Sequence, residues 1–164
     1  MKKEWIIFLS LISLSCNNVS SRRPDDFQFQ LIGEIDSYNS SNGHFERKYI
    51  SMEPERDTTI VFKLSTKELN KAFKIIIAND FFSLPDTFFC NKTKEYTLKQ
   101  PSFEKVIRVT SNGMTKTVVY NDECHPKQEL NAEKRFLKLD SELSKLVYEL
   151  ESVKTLPKTK MVFL

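Results

Sequence analysis

The chain is poor in glycine, histidine and cysteine, and each shortage excludes a class of functional site. Its 164 residues include three Gly, two His and three Cys. Three scattered glycines exclude a glycine-rich phosphate loop, which needs backbone N–H groups that can approach a ligand closely. No Cys-x-x-Cys pair is present, and structural zinc sites usually draw ligands from such pairs. We therefore predict neither a metal nor a cofactor.

The two histidines, His44 and His125, give little support to catalysis. A histidine-based site needs a nucleophile or metal ligands in a fixed spatial relation. We expect His44 to be exposed beside the Asn42-Gly43 turn. Cys124 and His125 are neighbours in a predicted loop, and catalytic pairs are normally adjacent in space rather than in sequence. We predict that the protein is not an enzyme; the weakest alternative is an enzyme of unknown class built on these two residues and a carboxylate.

The chain also lacks a large excess of either positive or negative charge. The chain carries 25 Lys and Arg against 22 Asp and Glu, for a formal net charge of +3. Acidic and basic residues are interspersed, and no basic stripe with interleaved aromatic residues is present. Nucleic acid is therefore not an expected partner.

The longest apolar run, Trp5–Leu14, is short. At about ten residues it has half the length needed to cross a hydrocarbon core of about 30 Å. Lys2 and Lys3 precede the run, and polar residues follow it. A positive start, a short apolar run and small residues near a cleavage site are typical of a secretion signal.

The end of this run, Ser13-Leu14-Ser15-Cys16, resembles the signal of bacterial lipoproteins, in which the cysteine is lipidated. The usual pattern places leucine three residues before the cysteine, whereas Leu14 lies one place later. The resemblance implies a stable, multiply acylated anchor at Cys16 and a location in the cell envelope, on the outer membrane or its periplasmic face. An ordinary cleaved signal and an uncleaved anchor are the alternatives.

These features predict three regions: a signal peptide at residues 1–15, a flexible polar tether at 16–26 and one globular domain at 27–160. Two cysteines, Cys90 and Cys124, remain in the domain. The exported compartment permits a disulfide between them. Two separate buried thiols are the alternative.

Hydrophobic patterning predicts an α+β fold. The Ser-x-x-Glu capping box at residues 65–68 predicts a helix over Thr66–Asn79, and a second apolar stripe predicts a helix over Glu129–Glu151. Asn112-Gly113 predicts a two-residue turn in a β-hairpin. An earlier hairpin, with strands over 27–36 and 44–52, is predicted to carry a long tip over 37–43. We expect an antiparallel sheet of about five strands with both helices on one face.

An aromatic segment follows the first predicted helix and has two interpretations. One is an exposed hydrophobic surface that binds a protein partner, formed by Phe81, Phe82, Phe88 and Phe89. Alternatively, the rings cover the end of the helix and the edge of the sheet. The second interpretation is favoured because Pro85 forces a chain reversal that must be packed, and because each ring brings a large apolar area.

The order of elements over residues 58–160 resembles that of uncharacterised lipoproteins of the Gram-negative outer membrane. A more distant resemblance is to emfourin-type inhibitors of thermolysin-like metalloproteases, whose Phe-Phe-x-Leu-Pro segment matches Phe81, Phe82, Leu84 and Pro85. The resemblance implies a fold, and inhibition would follow by analogy alone. Our leading hypothesis is a membrane-anchored, non-enzymatic binding module with a protein partner. The alternative is a metalloprotease inhibitor that inserts the tip of its first hairpin.

Overall fold

The computed structural model describes residues 22–48, 57–88, 96–98, 102–126 and 131–158. These residues form an α+β fold with three α-helices, a seven-stranded sheet and a two-stranded sheet. The helices are α1 (Thr66–Ala78), α2 (Asn131–Tyr148) and α3 (Glu151–Lys154). The strands are β1 (Gln28–Gly33), β2 (Asp36–Asn39), β3 (His44–Arg47), β4 (Thr58–Val61), β5 (Thr87–Phe88), β6 (Tyr96–Leu98), β7 (Glu104–Ser111), β8 (Met114–Asn121) and β9 (Cys124–Pro126).

The main sheet has the strand order β4-β3-β2-β1-β7-β8-β5. Its pairs are antiparallel except for the edge pair β5–β8, which is parallel. The short strands β6 and β9 pair with each other. The α+β class is thus confirmed, but the sheet is mixed and wider than the sequence predicted.

Part of that difference comes from the run over 27–36, which is two strands rather than one. β1 ends at Gly33, the chain turns, and β2 begins at Asp36. A glycine inside an alternating pattern is a sign of such a break. The predicted long tip over 37–43 is wrong, because residues 37–39 belong to β2 and only Ser40–Gly43 connect it to β3.

This β2–β3 turn is held firmly against its neighbours. The backbone N–H of Phe29 donates to Ser40 Oγ at 2.7 Å, and the N–H of Phe62 donates to the Gly43 carbonyl at 2.8 Å. Gly43 has φ +77°, a conformation that favours glycine. Only Ser41 and Asn42 of the turn are exposed.

Helix α1 begins as predicted. Ser65 Oγ accepts from the N–H of Glu68, and Glu68 Oε2 accepts from the N–H of Ser65, at 3.3 and 2.6 Å. This reciprocal capping box satisfies two N–H groups that lack partners inside the helix. The apolar face of α1 buries Ala72, Phe73 and Ile76.

The β7–β8 hairpin is also confirmed. Asn112 and Gly113 have φ of 53° and 73°, as a type I′ turn requires. The carboxylate of Asp26 accepts from both N–H groups of this turn, at 2.9 and 2.6 Å. Arg23 Nε donates to Asn70 of α1 at 2.9 Å. Residues 23–26, which the sequence assigned to the tether, therefore contact the domain.

The core lies between one face of the main sheet and the helices. Alternate residues of the central strands, such as Phe29, Ile107 and Val118, are buried in one cluster with Phe136 and Leu143 of α2. The prediction that the helices pack on one face of the sheet is confirmed. The other face carries polar side chains, among them Gln30, Arg108 and Thr117.

Helix α2 is shorter than predicted. It ends at Tyr148, Leu150 is extended, and α3 follows. The break turns Val153 into the core, where it is buried. In the described part of the chain, no helix combines the length and apolarity needed to cross a membrane.

Candidate functional site

A cleft of about 820 Å³ opens between the C-terminal half of α2 and the end of the sheet at which β1 turns into β2. This volume falls within the usual range of ligand-binding pockets. Its lining is partly apolar, with Leu31, Ile32, Ile35, Tyr38, Phe45, Phe103 and Val147. Its charged lining residues are Glu34, Asp36, Glu104, Lys105, Asp122, Asp140, Lys145 and Glu149.

Asp36 on one side of the cleft is held by Arg47. The two residues are direct partners across the β2–β3 pair. Arg47 Nε and Nη2 donate to the two carboxylate oxygens of Asp36 at 2.9 and 2.8 Å, and both side chains are only 12% exposed. A bidentate pair of this kind fixes both groups in orientation. Arg47 Nη1 also donates to the Pro157 carbonyl at 3.1 Å, which ties the segment after α3 to the sheet.

Tyr148, the last residue of α2, interacts with Asp36 of this ion pair through its hydroxyl. Burial of its hydroxyl, together with the charge of Asp36 and a hydrogen bond to it, raises the pKa of Tyr148 well above its ordinary value. The hydroxyl is therefore a neutral donor at physiological pH. The residue as a whole remains 43% exposed, so Tyr148 is accessible to a ligand at the mouth of the cleft.

A second ion pair joins the two walls. Lys105 Nζ of β7 lies against Asp140 Oδ2 of α2. Asp140 is largely buried, whereas Lys105 keeps about two fifths of its side chain in solvent. Asp122 follows β8, and Phe103 precedes β7. The Asp122 carboxylate accepts from the N–H of Phe103, which closes the open end of the β7–β8 hairpin.

The charge in the cleft is uneven. Its lining contains six carboxylates and two lysines, although the whole chain is slightly positive. Two of the carboxylates, Asp36 and Asp140, are neutralised by the ion pairs described above. Glu34 and Glu104 at the rim are exposed. The arrangement suits an amphipathic ligand that places apolar groups on the floor and polar or positive groups at the rim.

The aromatic segment is largely packed. Phe81 has no exposed surface, and Phe82 and Phe88 are half-buried against the core. The Phe88 ring lies 5.7 Å from Tyr120 and 5.5 Å from Phe136, between ring centroids. These positions favour the packing interpretation. Phe89 lies outside the described residues.

The reversal before this segment is held by Asp80. Asp80 has φ 49°, in the left-handed region, and its carboxylate accepts from Ser83 Oγ and from Arg135 Nη1. The hydrogen bond from Ser83, followed by the interaction with Arg135, lowers the pKa of Asp80. The segment is thereby fixed to α2 rather than projected into solvent.

The cysteine predictions fall at or beyond the edge of the described residues. Cys16 and Cys90 lie outside them. Cys124, which the sequence placed in a loop, lies in β9 and pairs with Leu98. The lipidation of Cys16 and the bond between Cys90 and Cys124 therefore stay predictions.

Of the two histidines, His44 is exposed on β3 as expected, and His125 lies in β9. Within the described ranges, no three residues of the types His, Cys, Asp and Glu are grouped so that they could hold a metal ion.

The sequence did not identify the residues of the cleft. The sequence predicts Asp36 at the end of one strand, Arg47 inside another and Tyr148 within the second helix, and it indicates none of them as a site residue. The break at Gly33 was the one local indication that Asp36 begins a new strand and can pair with Arg47. No local feature of the sequence indicates that the end of α2 lies beside Asp36.

Comparisons of the chain with protein-family models and with curated proteins found no match.

Proposed function

We propose that the protein is a lipid-anchored, non-enzymatic binding module of the cell envelope, and that the cleft beside α2 receives its partner. The observation that carries the proposal is the cleft itself, with its apolar floor and charged rim. The anchor is supported by the run Trp5–Leu14 and the cysteine that follows it.

The side chains of the cleft support binding more than catalysis. Asp36 is locked by two hydrogen bonds from Arg47, and Asp140 is paired with Lys105. Such carboxylates are fixed parts of the wall rather than acids or bases poised for proton transfer. Tyr148 and the apolar floor offer the contact area that anchors a partner side chain in a pocket.

A blocking substitution tests this proposal. Ser144 of α2 is half-buried and lines the cleft, so Ser144→Trp fills it. Lys138, on the exposed side of the same helix, provides the matched control Lys138→Trp. We would capture tagged full-length protein from membranes of the source cells after mild cross-linking, with Cys16→Ala as the anchoring control.

We expect one protein to be recovered with the original chain and with Lys138→Trp, lost with Ser144→Trp, and reduced with Cys16→Ala. Capture that is unaffected by Ser144→Trp would contradict the role of the cleft. If the captured protein is a metalloprotease, inhibition becomes the better description of the function.

The structure offers the inhibitor alternative little support. The element expected to insert, the tip of the first hairpin, is the short turn Ser40–Gly43. Ser40 and Gly43 are buried there, and only the two residues between them are exposed. A turn bound at both ends to β1 and to Phe62 presents little chain for a protease cleft.

A further inference from the structure

We infer that one end of the domain rests on the phospholipid bilayer and that the cleft points away from it, an inference that rests on the lipid anchor proposed above. The membrane-facing surface is defined by five residues that surround the point where the chain leaves the domain. They are Arg23, Lys67, Lys71, Lys74 and Met114.

The length of the connecting chain limits how far the domain can move. Six residues lead from Cys16 to Arg22, the first described residue. Even fully extended, they span about 20 Å. That distance is less than the width of a domain of this size. The surface beside Arg22 must therefore stay near the bilayer whenever Cys16 is anchored.

The direction of exit is fixed by two contacts. Arg23 donates to Asn70 on α1, and Asp26 accepts from the turn residues Asn112 and Gly113. The chain therefore enters the domain between the exposed face of α1 and the β7–β8 turn. These two elements flank the anchor.

The face of α1 on this side is basic. Lys67, Lys71 and Lys74 are exposed, and their spacing of four and three residues places them on one face of the helix together with Asn70. Clusters of basic side chains next to a bilayer are attracted to anionic headgroups. On the other flank, Met114 follows the turn and is 62% exposed, so it can enter the headgroup boundary.

The opposite end of the domain has the opposite charge. β1 runs from Gln28, near the exit, to Gly33, at the cleft, a distance of about 17 Å. The carboxylates of Glu34 and Glu104 lie at that far end. An anionic bilayer attracts the end with the lysines and repels the end with the carboxylates. The cleft is thus left open to a partner in the aqueous phase.

The test uses tryptophan as a probe of depth in the bilayer. Trp5 is the only tryptophan of the chain and lies in the proposed signal peptide, so the lipidated protein that begins at Cys16 has no tryptophan of its own. A single new tryptophan is placed at the membrane-facing surface by Met114→Trp, or at the far end of β1 by Glu34→Trp. The lipidated mature proteins are reconstituted into phosphatidylcholine–phosphatidylglycerol vesicles that contain brominated acyl chains, which quench nearby tryptophan.

We expect Met114→Trp to lose most of its emission and Glu34→Trp to keep it. Adding Lys67→Gln, Lys71→Gln and Lys74→Gln to the Met114→Trp protein should lower the quenched population at least about fivefold. Neutralising the exposed lysines Lys134 and Lys138 of α2 and Lys154 of α3, which do not line the cleft, should leave it unchanged in the same assay. Equal quenching of the two tryptophan proteins, or the same loss with both lysine sets, would overturn the inference.

Flotation with vesicles in high salt separates this inference from the proposed anchor. If the chain with Cys16 floats, the Cys16→Ser variant does not, and Met114→Trp is quenched selectively, both are supported. If the chain floats but its quenching shows no preferred orientation, the inference alone is wrong. If neither protein floats, the lipid anchor is wrong and the inference falls with it.

Discussion

Among individual residues, the two glycines with positive φ differ sharply in their surroundings. Gly43 and Gly113 have φ of 77° and 73°. A Cβ on Gly113 would meet no atom within 4 Å, whereas a Cβ on Gly43 would clash with the Phe62 carbonyl group. Alanine substitutions at these two positions therefore distinguish the cost of backbone strain alone from the cost of strain with a steric clash.

We expect Gly113→Ala to lower the free energy of unfolding by about 1 kcal/mol, from the left-handed conformation alone. Gly43→Ala must also displace the backbone of Phe62, so we expect a loss of about 3 kcal/mol or more. Denaturant titration of both variants measures these losses. Equal losses would show that the β2–β3 turn is not enclosed as described.

Two buried tyrosines form a second matched pair. The Tyr120 hydroxyl donates to Oε1 of buried Glu133 at 2.8 Å. The Tyr38 hydroxyl is buried and has no hydrogen-bond partner of ordinary geometry among the described residues. Burial, offset in part by an interaction with the Leu64 backbone, raises the pKa of Tyr38 to about 12. The Tyr120 hydroxyl thus donates to a buried carboxylate, whereas the Tyr38 hydroxyl donates to no buried carboxylate among the described residues.

We expect Tyr120→Phe to lower the free energy of unfolding by about 1–3 kcal/mol, because Glu133 loses a donor that water cannot replace. Tyr38→Phe should be neutral or stabilising, because it removes a buried polar group that gains little from its surroundings. Thermal or chemical unfolding of both variants measures the two changes in stability. A greater loss from Tyr38→Phe than from Tyr120→Phe would contradict this assignment.

Among the secondary-structure elements, α1 depends on its first turn. Ser65 and Glu68 cap each other. We expect Ser65→Ala to lower the free energy of unfolding by about 1 kcal/mol. Thr66→Ala, one residue later and exposed, keeps the cap and serves as the control. If both substitutions lower the midpoint of chemical unfolding equally, the capping box does not contribute as described.

The attachment of the chain start to the β7–β8 hairpin should depend on pH. Hydrogen bonds from the N–H groups of Gly113 and Asn112 lower the pKa of Asp26 below its ordinary value of 3.8. Because the folded protein favours the ionised carboxylate, its stabilisation is present above about pH 3.8 and is lost as the pH falls through the lowered pKa.

We expect Asp26→Asn to unfold at a lower denaturant concentration than the original chain at pH 7, and the difference to shrink below about pH 4. Asp25, the exposed neighbour, gives the control Asp25→Asn. A difference that stays constant from pH 7 to pH 3 would show that the ionised Asp26 does not hold the turn.

The elements that the sequence predicted well are those with local signals. The capping box and the apolar stripe located α1, and Asn112-Gly113 located the β7–β8 turn, because each depends on residues within a few positions of one another. The division of the run over 27–36 was missed because alternation continues across the turn, so Ile35 and Asp36 read as part of one strand. Register and pairing partners decide such a case, and both are tertiary properties.

For the molecule as a whole, the cleft was beyond sequence reasoning for the same reason. It exists because the β2–β3 pairing places Asp36 beside Arg47 and because α2 ends where its last residue, Tyr148, reaches Asp36. Asp36 and Tyr148 lie 112 positions apart in the sequence. By contrast, the anchor prediction rests on residues 1–16 alone and needs no tertiary information.

Mass spectrometry of the N-terminal peptide, on protein purified from membranes, shows whether a lipid anchors this domain. We expect the mature chain to begin at Cys16 and this residue to carry acyl chains. A mature chain that begins elsewhere, that keeps residues 1–15, or that begins at an unmodified Cys16 would contradict this expectation.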